Sequence, residues 1–378
     1  MARQPKLWID AGSDRLSPGL ATRLHIDLPL LLLLLLICGL GLLVLYSASG
    51  QASGQVERQA LRLALALVLM IAVAQVPPAL MRQWAVPLYL TGVMLLLLVL
   101  LVGEQSKGAQ RWLDLGLVRF QPSEMLKLAL PMMLAWYFSL RPLPPRLWDL
   151  LLASLMIALP AVMIAKQPDL GTALLVISAG LVTLFLAGLR WRLILGLVVL
   201  AAAAAPLLWS IMHDYQRRRV LTFLDPGSDP LGAGYHIIQS QIAIGSGGIY
   251  GKGWLAGTQS QLEFLPERTT DFIFAVLGEE LGLSGILVLM LLYLAVILRG
   301  LAIASRASDT FSRLLAGAVT MVFFVYLFVN MGMVSGLLPV VGVPLPLISY
   351  GGTSLVTLMM GFGILMSIET RQKLLQTE

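Results

Sequence analysis

Ten apolar runs, separated by mostly short polar connections, make up most of the chain; they cover about 28–47, 60–76, 85–102, 123–139, 147–165, 170–188, 191–210, 271–298, 312–334 and 347–367. A bilayer core of about 30 Å is crossed by about 20 residues rising 1.5 Å each, so runs of this length read as transmembrane helices. The first run holds seven consecutive leucines, residues 30–36. It outlasts the roughly 7–15-residue core of a signal peptide, and no small-residue cleavage pattern follows, which predicts a retained span. The pattern therefore predicts an all-α polytopic membrane protein of about ten transmembrane helices with one large extracytoplasmic loop. The expected divisions are a cytoplasmic N-terminal tail with little structure at 1–27, helices one to seven at 28–210, the large loop at 211–270, helices eight to ten at 271–367, and a cytoplasmic C-terminal tail at 368–378.

Composition points the same way: 58% of the 378 residues are hydrophobic and 12% charged, where soluble domains are about a quarter charged. Lysine and arginine set the orientation. With the N-terminus inside, fourteen of them fall in inner segments and five in outer connections, leaving aside the long 211–270 loop, where the rule is weak. Both termini are thus expected in the cytoplasm and the long loop on the far side. The net charge of +6 is accounted for by topology rather than nucleic-acid binding. The single cysteine, Cys38, lies inside the first span, which excludes disulfides and thiolate metal sites. The three histidines are too scattered to suggest zinc.

The 211–270 loop carries the triplet Arg217, Arg218, Arg219 and a glycine-dense stretch at 245–253. That stretch fails the G-x-x-x-x-G-K-[ST] spacing of a nucleotide loop, and ATP is absent outside the membrane. Its expected role is to let the chain pass close to a neighbouring helix.

Charge within apolar runs is costly and usually functional. Gln121-Pro122-Ser123-Glu124 opens the fourth run. Pro122 suits a first helical turn, Glu124 sits near the positive end of the helix dipole, and Lys127 follows on the same face. Either the two form a structural ion pair at a helix entrance, or Lys127 faces a substrate cavity as a diphosphate contact that Glu124 holds in place. Lys166-Gln167-Pro168-Asp169-Leu170-Gly171-Thr172 forms a tight outer turn, in which Asp169 either caps the next helix or contributes to the same cavity. Asp271, where the chain re-enters an apolar run, is either an ordinary first-turn carboxylate beside a Thr270 cap or a catalytic base on the far side of the membrane. Glu279 and Glu280 would lie about 12–13 Å further along a helix starting there, too far to serve one reacting centre, and are expected near the headgroups. Residues 336–346 hold two glycines, three prolines and no charge. Such backbone is not regular helix, and at membrane depth it is tolerated only when covered by protein or lining a cavity.

These blocks resemble a known family. Asn330, Gly336-Leu337-x-Pro339-x-x-Gly342-Val343 and Leu347-Ile348-Ser349-Tyr350-Gly351-Gly352-Thr353-Ser354 are similar to the signature of the SEDS proteins (shape, elongation, division and sporulation). Gln121-Pro122-Ser123-Glu124-x-x-Lys127, Gln167-Pro168-Asp169-Leu170-Gly171-Thr172 and Leu265-Pro266-Glu267-x-x-Thr270-Asp271-Phe272-Ile273-Phe274 are further family blocks in the expected order. The resemblance covers about residues 25–370. Tyr235-His236-Ile237-Ile238-Gln239-Ser240 and Gly257-Thr258-Gln259-Ser260-Gln261 resemble the elongation branch more than the division branch. One departure is Thr269, where many relatives carry histidine.

The resemblance implies ten helices and a peptidoglycan glycosyltransferase of the bacterial inner membrane that polymerises lipid II, with Asp271 essential. It also implies a class B penicillin-binding protein, the transpeptidase, as partner, among other elongation-complex proteins. An inverting transfer needs a base for the acceptor hydroxyl, a role Asp271 can fill, and a positive setting for the departing diphosphate. A helix N-terminus would weaken Asp271 as a base, while partial desolvation and nearby diphosphates push the other way. Arg217, Arg219, Lys127 and Arg111 are the candidate cations. A divalent cation such as Mg2+ could assist, although no ligand cluster in the sequence demands one. A lipid II flippase or transporter, and a non-catalytic scaffold for a transpeptidase, are the alternatives.

Overall fold

A computed structural model describes residues 24–377 apart from 107–108, 115–118, 212–213, 229–231, 263 and 266. Most of the expected tail at 1–27 and the Arg219 side chain therefore lie outside the described residues. Each of the ten apolar runs coincides with a helix: α1 (Leu28–Ala48), α2 (Ser53–Ala74), α3 (Pro78–Val102), α4 (Pro122–Ser139), α5 (Leu147–Lys166), α6 (Leu170–Leu186), α7 (Trp191–Ile211), and, after the long loop, α11 (Ile273–Arg306), α12 (Thr310–Val334) and α13 (Thr353–Thr377). Six of the described helices are long and apolar enough to cross a membrane, and α6 is a shorter apolar helix. The long loop contributes α8 (Asp214–Leu224), a 3-10 turn at Pro226–Ser228, α9 (Ala233–Gly247) and the short α10 (Thr258–Gln261). An antiparallel ribbon, β1 (Glu104–Ser106), β2 (Ala109–Asp114) and β3 (Arg119–Phe120), fills the connection between α3 and α4.

Local chemistry fixes the helix starts. Asp27 accepts from Leu30 N at 3.1 Å and a proline follows in the first turn of α1, while Pro78 and Pro122 open α3 and α4. Helices α12 and α13 form the centre: 72% and 78% of their apolar windows are buried, against 22–39% for the other spans. Helix α4 is likewise buried along most of its length, and the peripheral helices expose leucine-rich stripes, as lipid-facing helices must.

Two boundaries differ from the hydropathy pattern for a physical reason. Helix α2 begins at Ser53 because its first two turns are polar, including buried Gln59. Helix α13 runs on through the expected C-terminal tail: Glu369 is buried and accepts from Arg299 at 2.9 Å, and Arg371 donates to Gln75 O at 2.7 Å. Arg299 also reaches Asp27 through Nε at 3.0 Å, so one guanidinium ties α1, α11 and α13 together at this end.

Helix α11 is two helices joined at Gly282, whose φ of 62° only glycine adopts readily. The break is spliced by the glycine-dense loop. Leu283 N and Ser284 N donate to the carbonyls of Gly248 and Ile249 at 2.9 and 3.0 Å, while Lys252 N and Gly253 N donate to Glu279 O and Glu280 O, both at 3.0 Å. A Cβ on Gly251 would lie 2.1 Å from Glu280 O, so the glycines serve close approach, as expected. The two glutamates are buried. Glu279 pairs with Lys252 at 2.7 Å and accepts from Gln259 N and Ser260 N, and Glu280 accepts from the Ser47 hydroxyl. Burial is tolerated because these partners satisfy their oxygens.

Candidate active site

Residues 267–272 form a turn that leads into α11. Asp271 lies two residues before the helix, and Phe272, not Thr270, occupies the cap position. Asp271 is therefore not a first-turn carboxylate, which reduces the dipole effect expected to weaken it as a base. The segment 335–352 wraps this turn. Ser349 Oγ donates to Thr270 O at 2.6 Å, Tyr350 N donates to Thr269 O at 2.8 Å, and Ser349 Oγ accepts from Leu345 N at 2.7 Å. Asn330, fully buried on α12, fastens both strands: its Nδ2 donates to Asp271 O at 2.9 Å and to Val343 O at 2.7 Å. Gly342, at φ 74°, brings the chain alongside Asp271.

The result is a cleft of about 350 Å³. Its walls include Asp271, Glu267, Thr270, Tyr350 and Ser354. Asp271 is half-buried and lines this opening, so the carboxylate is neither sealed in a closed contact nor lost in bulk solvent. Glu267 is the second carboxylate of the cleft and accepts from the Thr270 hydroxyl at 2.9 Å.

Beside the cleft runs a groove of about 660 Å³ between α2, α3, α4 and α13, lined almost wholly by apolar side chains such as Leu65, Trp84, Leu88 and Met132. Gly352 and Thr353 line both spaces, so groove and cleft share a wall. Arg62, on α2, lines the groove at this junction, with its guanidinium 4.5 Å from the centre of the Tyr350 ring. Arg58, one turn earlier, donates to the Tyr350 hydroxyl at 3.3 Å.

The residues singled out from sequence divide into separate groups. Lys127 and Glu124 are both buried, with Nζ 2.7 Å from Oε1; Lys127 is turned inward over the Tyr326 ring, and Glu124 lies along the groove. Asp169 caps α6, accepting from Thr172 N at 3.2 Å, and also accepts from Gln121 Nε2 at 3.2 Å. Arg111 lies 3.5 Å from Asp169 and donates to Pro168 O at 2.9 Å. This cluster approaches the cleft where Gly171 packs closely on Val341 O, next to Gly342, on which a Cβ would lie 3.5 Å from Asp271 Oδ2. Arg217 donates to Trp209 O and Ser210 O at 2.9 and 2.8 Å, and so secures the end of α7. Among the described residues no group of three or more His, Cys, Asp or Glu side chains comes together around a common centre.

Residues 28–374 match the family FTSW_RODA_SPOVE, described as cell cycle protein. The chain belongs to this family. It is 58% identical to the peptidoglycan glycosyltransferase MrdB of Escherichia coli over 354 residues, 93% of this chain and 96% of that one. It is 43% identical over 299 residues to a probable peptidoglycan glycosyltransferase FtsW of Geobacter metallireducens, 77% of this chain and 78% of that one. Among solved structures, a chain of a peptidoglycan synthase complex that coordinates polymerization and crosslinking superposes with a TM-score of 0.80 at 37% identity, covering 92% of this chain and 98% of the other. The rod shape determining protein RodA of Thermus thermophilus superposes with a TM-score of 0.69 at 32% identity, covering 91% and 96%. This SEDS member is a multi-pass protein of the bacterial inner membrane.

Arg62, Arg58 and Glu267 join the site in the structure of this SEDS chain without having been expected there from sequence. Arg62 did leave a signal: it is an arginine inside the second apolar run, 60–76. Nothing local links Arg58 or Arg62 to Tyr350, almost three hundred residues away, so only the packing of α2 on α13 brings them to the cleft.

Proposed function

We propose that Asp271 is the general base with which this peptidoglycan glycosyltransferase polymerises lipid II on the far side of the membrane. The carrying observation is the shared wall between a polar cleft holding Asp271 and an apolar groove open along the spans. A substrate made of sugars joined through diphosphate to a polyprenyl chain has the same division: the chain fits the groove and the sugars the cleft. Asp271 takes the proton of the acceptor 4-hydroxyl as its oxygen attacks the anomeric carbon of the donor sugar. The bond from that carbon to the diphosphate oxygen breaks with inversion, and polyprenyl diphosphate departs with the bonding pair. Magnesium is commonly held by one or two carboxylates together with substrate phosphates. Glu267, the second carboxylate of the cleft, would supply such a ligand and leave Asp271 to take the proton, and the ion would neutralise diphosphate charge. Glu124, Lys127, Asp169 and Arg111 act on substrate, in this reading, by supporting the cleft walls, while Arg217 secures the end of α7.

The same reading places both termini in the cytoplasm and the cleft outside, in line with the fourteen-to-five distribution of Lys and Arg. It divides the chain into tails at 1–27 and 368–378, spans at 28–210 and 271–367, and an extracytoplasmic loop at 211–270. A class B penicillin-binding protein is the proposed partner, supported by the similarity to a chain of a complex that couples polymerization to crosslinking. Purified protein given labelled lipid II tests the function. Glycan chains mark a polymerase, movement of lipid II between leaflets without chains marks a flippase, and neither marks a scaffold.

A further inference from the structure

We propose that Arg62 holds the diphosphate of the prenyl-linked substrate at the junction of groove and cleft, and so sets the depth at which the lipid sits. The proposal deepens the reading of the cleft as a lipid II site and rests on it. Arg62 lies in the apolar part of α2 and is half-buried, a costly place for a guanidinium unless it meets an anion or reaches water. Among the described residues it faces a tyrosine ring and no carboxylate within ion-pair distance. The other charged group along the groove, Glu124, is neutralised by Lys127, which bonds its Oε1. The groove therefore presents one uncompensated cation, next to Gly352 and Thr353, where it opens into the cleft.

That position matches the substrate chemistry. A prenyl diphosphate carries an apolar chain on one side of its anionic oxygens and the sugars on the other. Arginine binds phosphate oxygens through a planar fork of donors, which a point charge such as lysine reproduces only in part. Stacking on Tyr350 keeps the fork oriented, and Arg58 holds that ring by its hydroxyl. Gln59 anchors the segment beneath, with Nε2 bonded to Ser349 O at 3.3 Å and Oε1 accepting from Gly351 N at 3.2 Å. Arg62 is thus a binding residue for the ground-state lipid, separate from the base.

The test uses the full-length protein in detergent, with farnesyl diphosphate, farnesyl monophosphate and farnesol as probes in calorimetric titrations. Arg62→Gln should weaken farnesyl diphosphate about tenfold, the size of one lost charge-assisted contact, and Arg62→Lys should recover part of it. Farnesol binding should be unchanged in both, which also reports an intact groove. With lipid II, Arg62→Gln should raise KM about tenfold while kcat stays within about threefold, since uniform binding is lost. Equal diphosphate affinity in wild type and Arg62→Gln overturns the proposal, as does an equal loss for farnesol or a wild type that does not favour diphosphate over farnesol. Asp271→Asn separates the two readings: it should bind farnesyl diphosphate normally and make no glycan. If it still makes glycan, the base assignment fails and Arg62 is judged on the titrations alone.

Discussion

At the scale of single residues, the cleft depends on how Asp271 is held as much as on its carboxylate. Asp271→Asn keeps the shape and removes the proposed base, so glycan formation from lipid II should fall by about 10²–10⁴-fold with unchanged thermal stability. Asn330 donates one amide nitrogen to two carbonyls, the part-buried one of Asp271 and the buried one of Val343. Asn330→Ala orphans both, at a cost of about 1–3 kcal/mol each, and should lower the melting temperature and kcat together. The Glu124–Lys127 pair answers differently. Lys127→Ala leaves a buried carboxylate alone and should destabilise by about 3–5 kcal/mol, whereas replacing both by apolar residues of similar size should cost far less. If that double variant still polymerises lipid II, the pair is structural; if it is stable but inactive, Lys127 acts on substrate.

At the scale of elements, the informative departures from hydropathy sit at helix ends. The first turns of α2 are polar because Gln59 and Arg58 grip the chain before α13 from above the apolar stretch. The apolar run 347–367 starts six residues ahead of α13 because those residues line the cleft instead of continuing a helix. The break in α11 is a designed splice, since donors and acceptors freed at Gly282 are met by the backbone at 248–253. Gly251→Ala places a Cβ against Glu280 O at a φ of 80°. A strained backbone of that kind costs about 1–3 kcal/mol, and limited proteolysis should show faster cleavage within 245–260 than in wild type.

At the scale of the whole molecule, orientation relative to the bilayer decides which chemistry is available. Cys38 is buried, so introduced cysteines can be read without a native background. In intact spheroplasts, Tyr250→Cys, at a position 84% exposed in the long loop, should react with a membrane-impermeant maleimide. Ser305→Cys, exposed at the other end of α11, should react only after permeabilisation. The reverse pattern would put the cleft in the cytosol and remove the proposed reaction.

Hydropathy alone set the number and order of the spans, because a hydrocarbon core demands about 20 apolar residues per crossing whatever the neighbours are. Local chemistry also made the Asp169 cap and the non-helical 336–346 legible, since capping and proline geometry act over a few residues. The cleft was only partly legible. Asp271 stood out as a carboxylate at the edge of an apolar run, but its neighbours Asn330, Tyr350, Arg58 and Arg62 come from two other helices, α12 and α2, and the connection into α13. Which cation faces a groove and which is turned inward, as Lys127 is, depends on how helices rotate against one another. That rotation is fixed by side chains packing across sequence distances that no local pattern records.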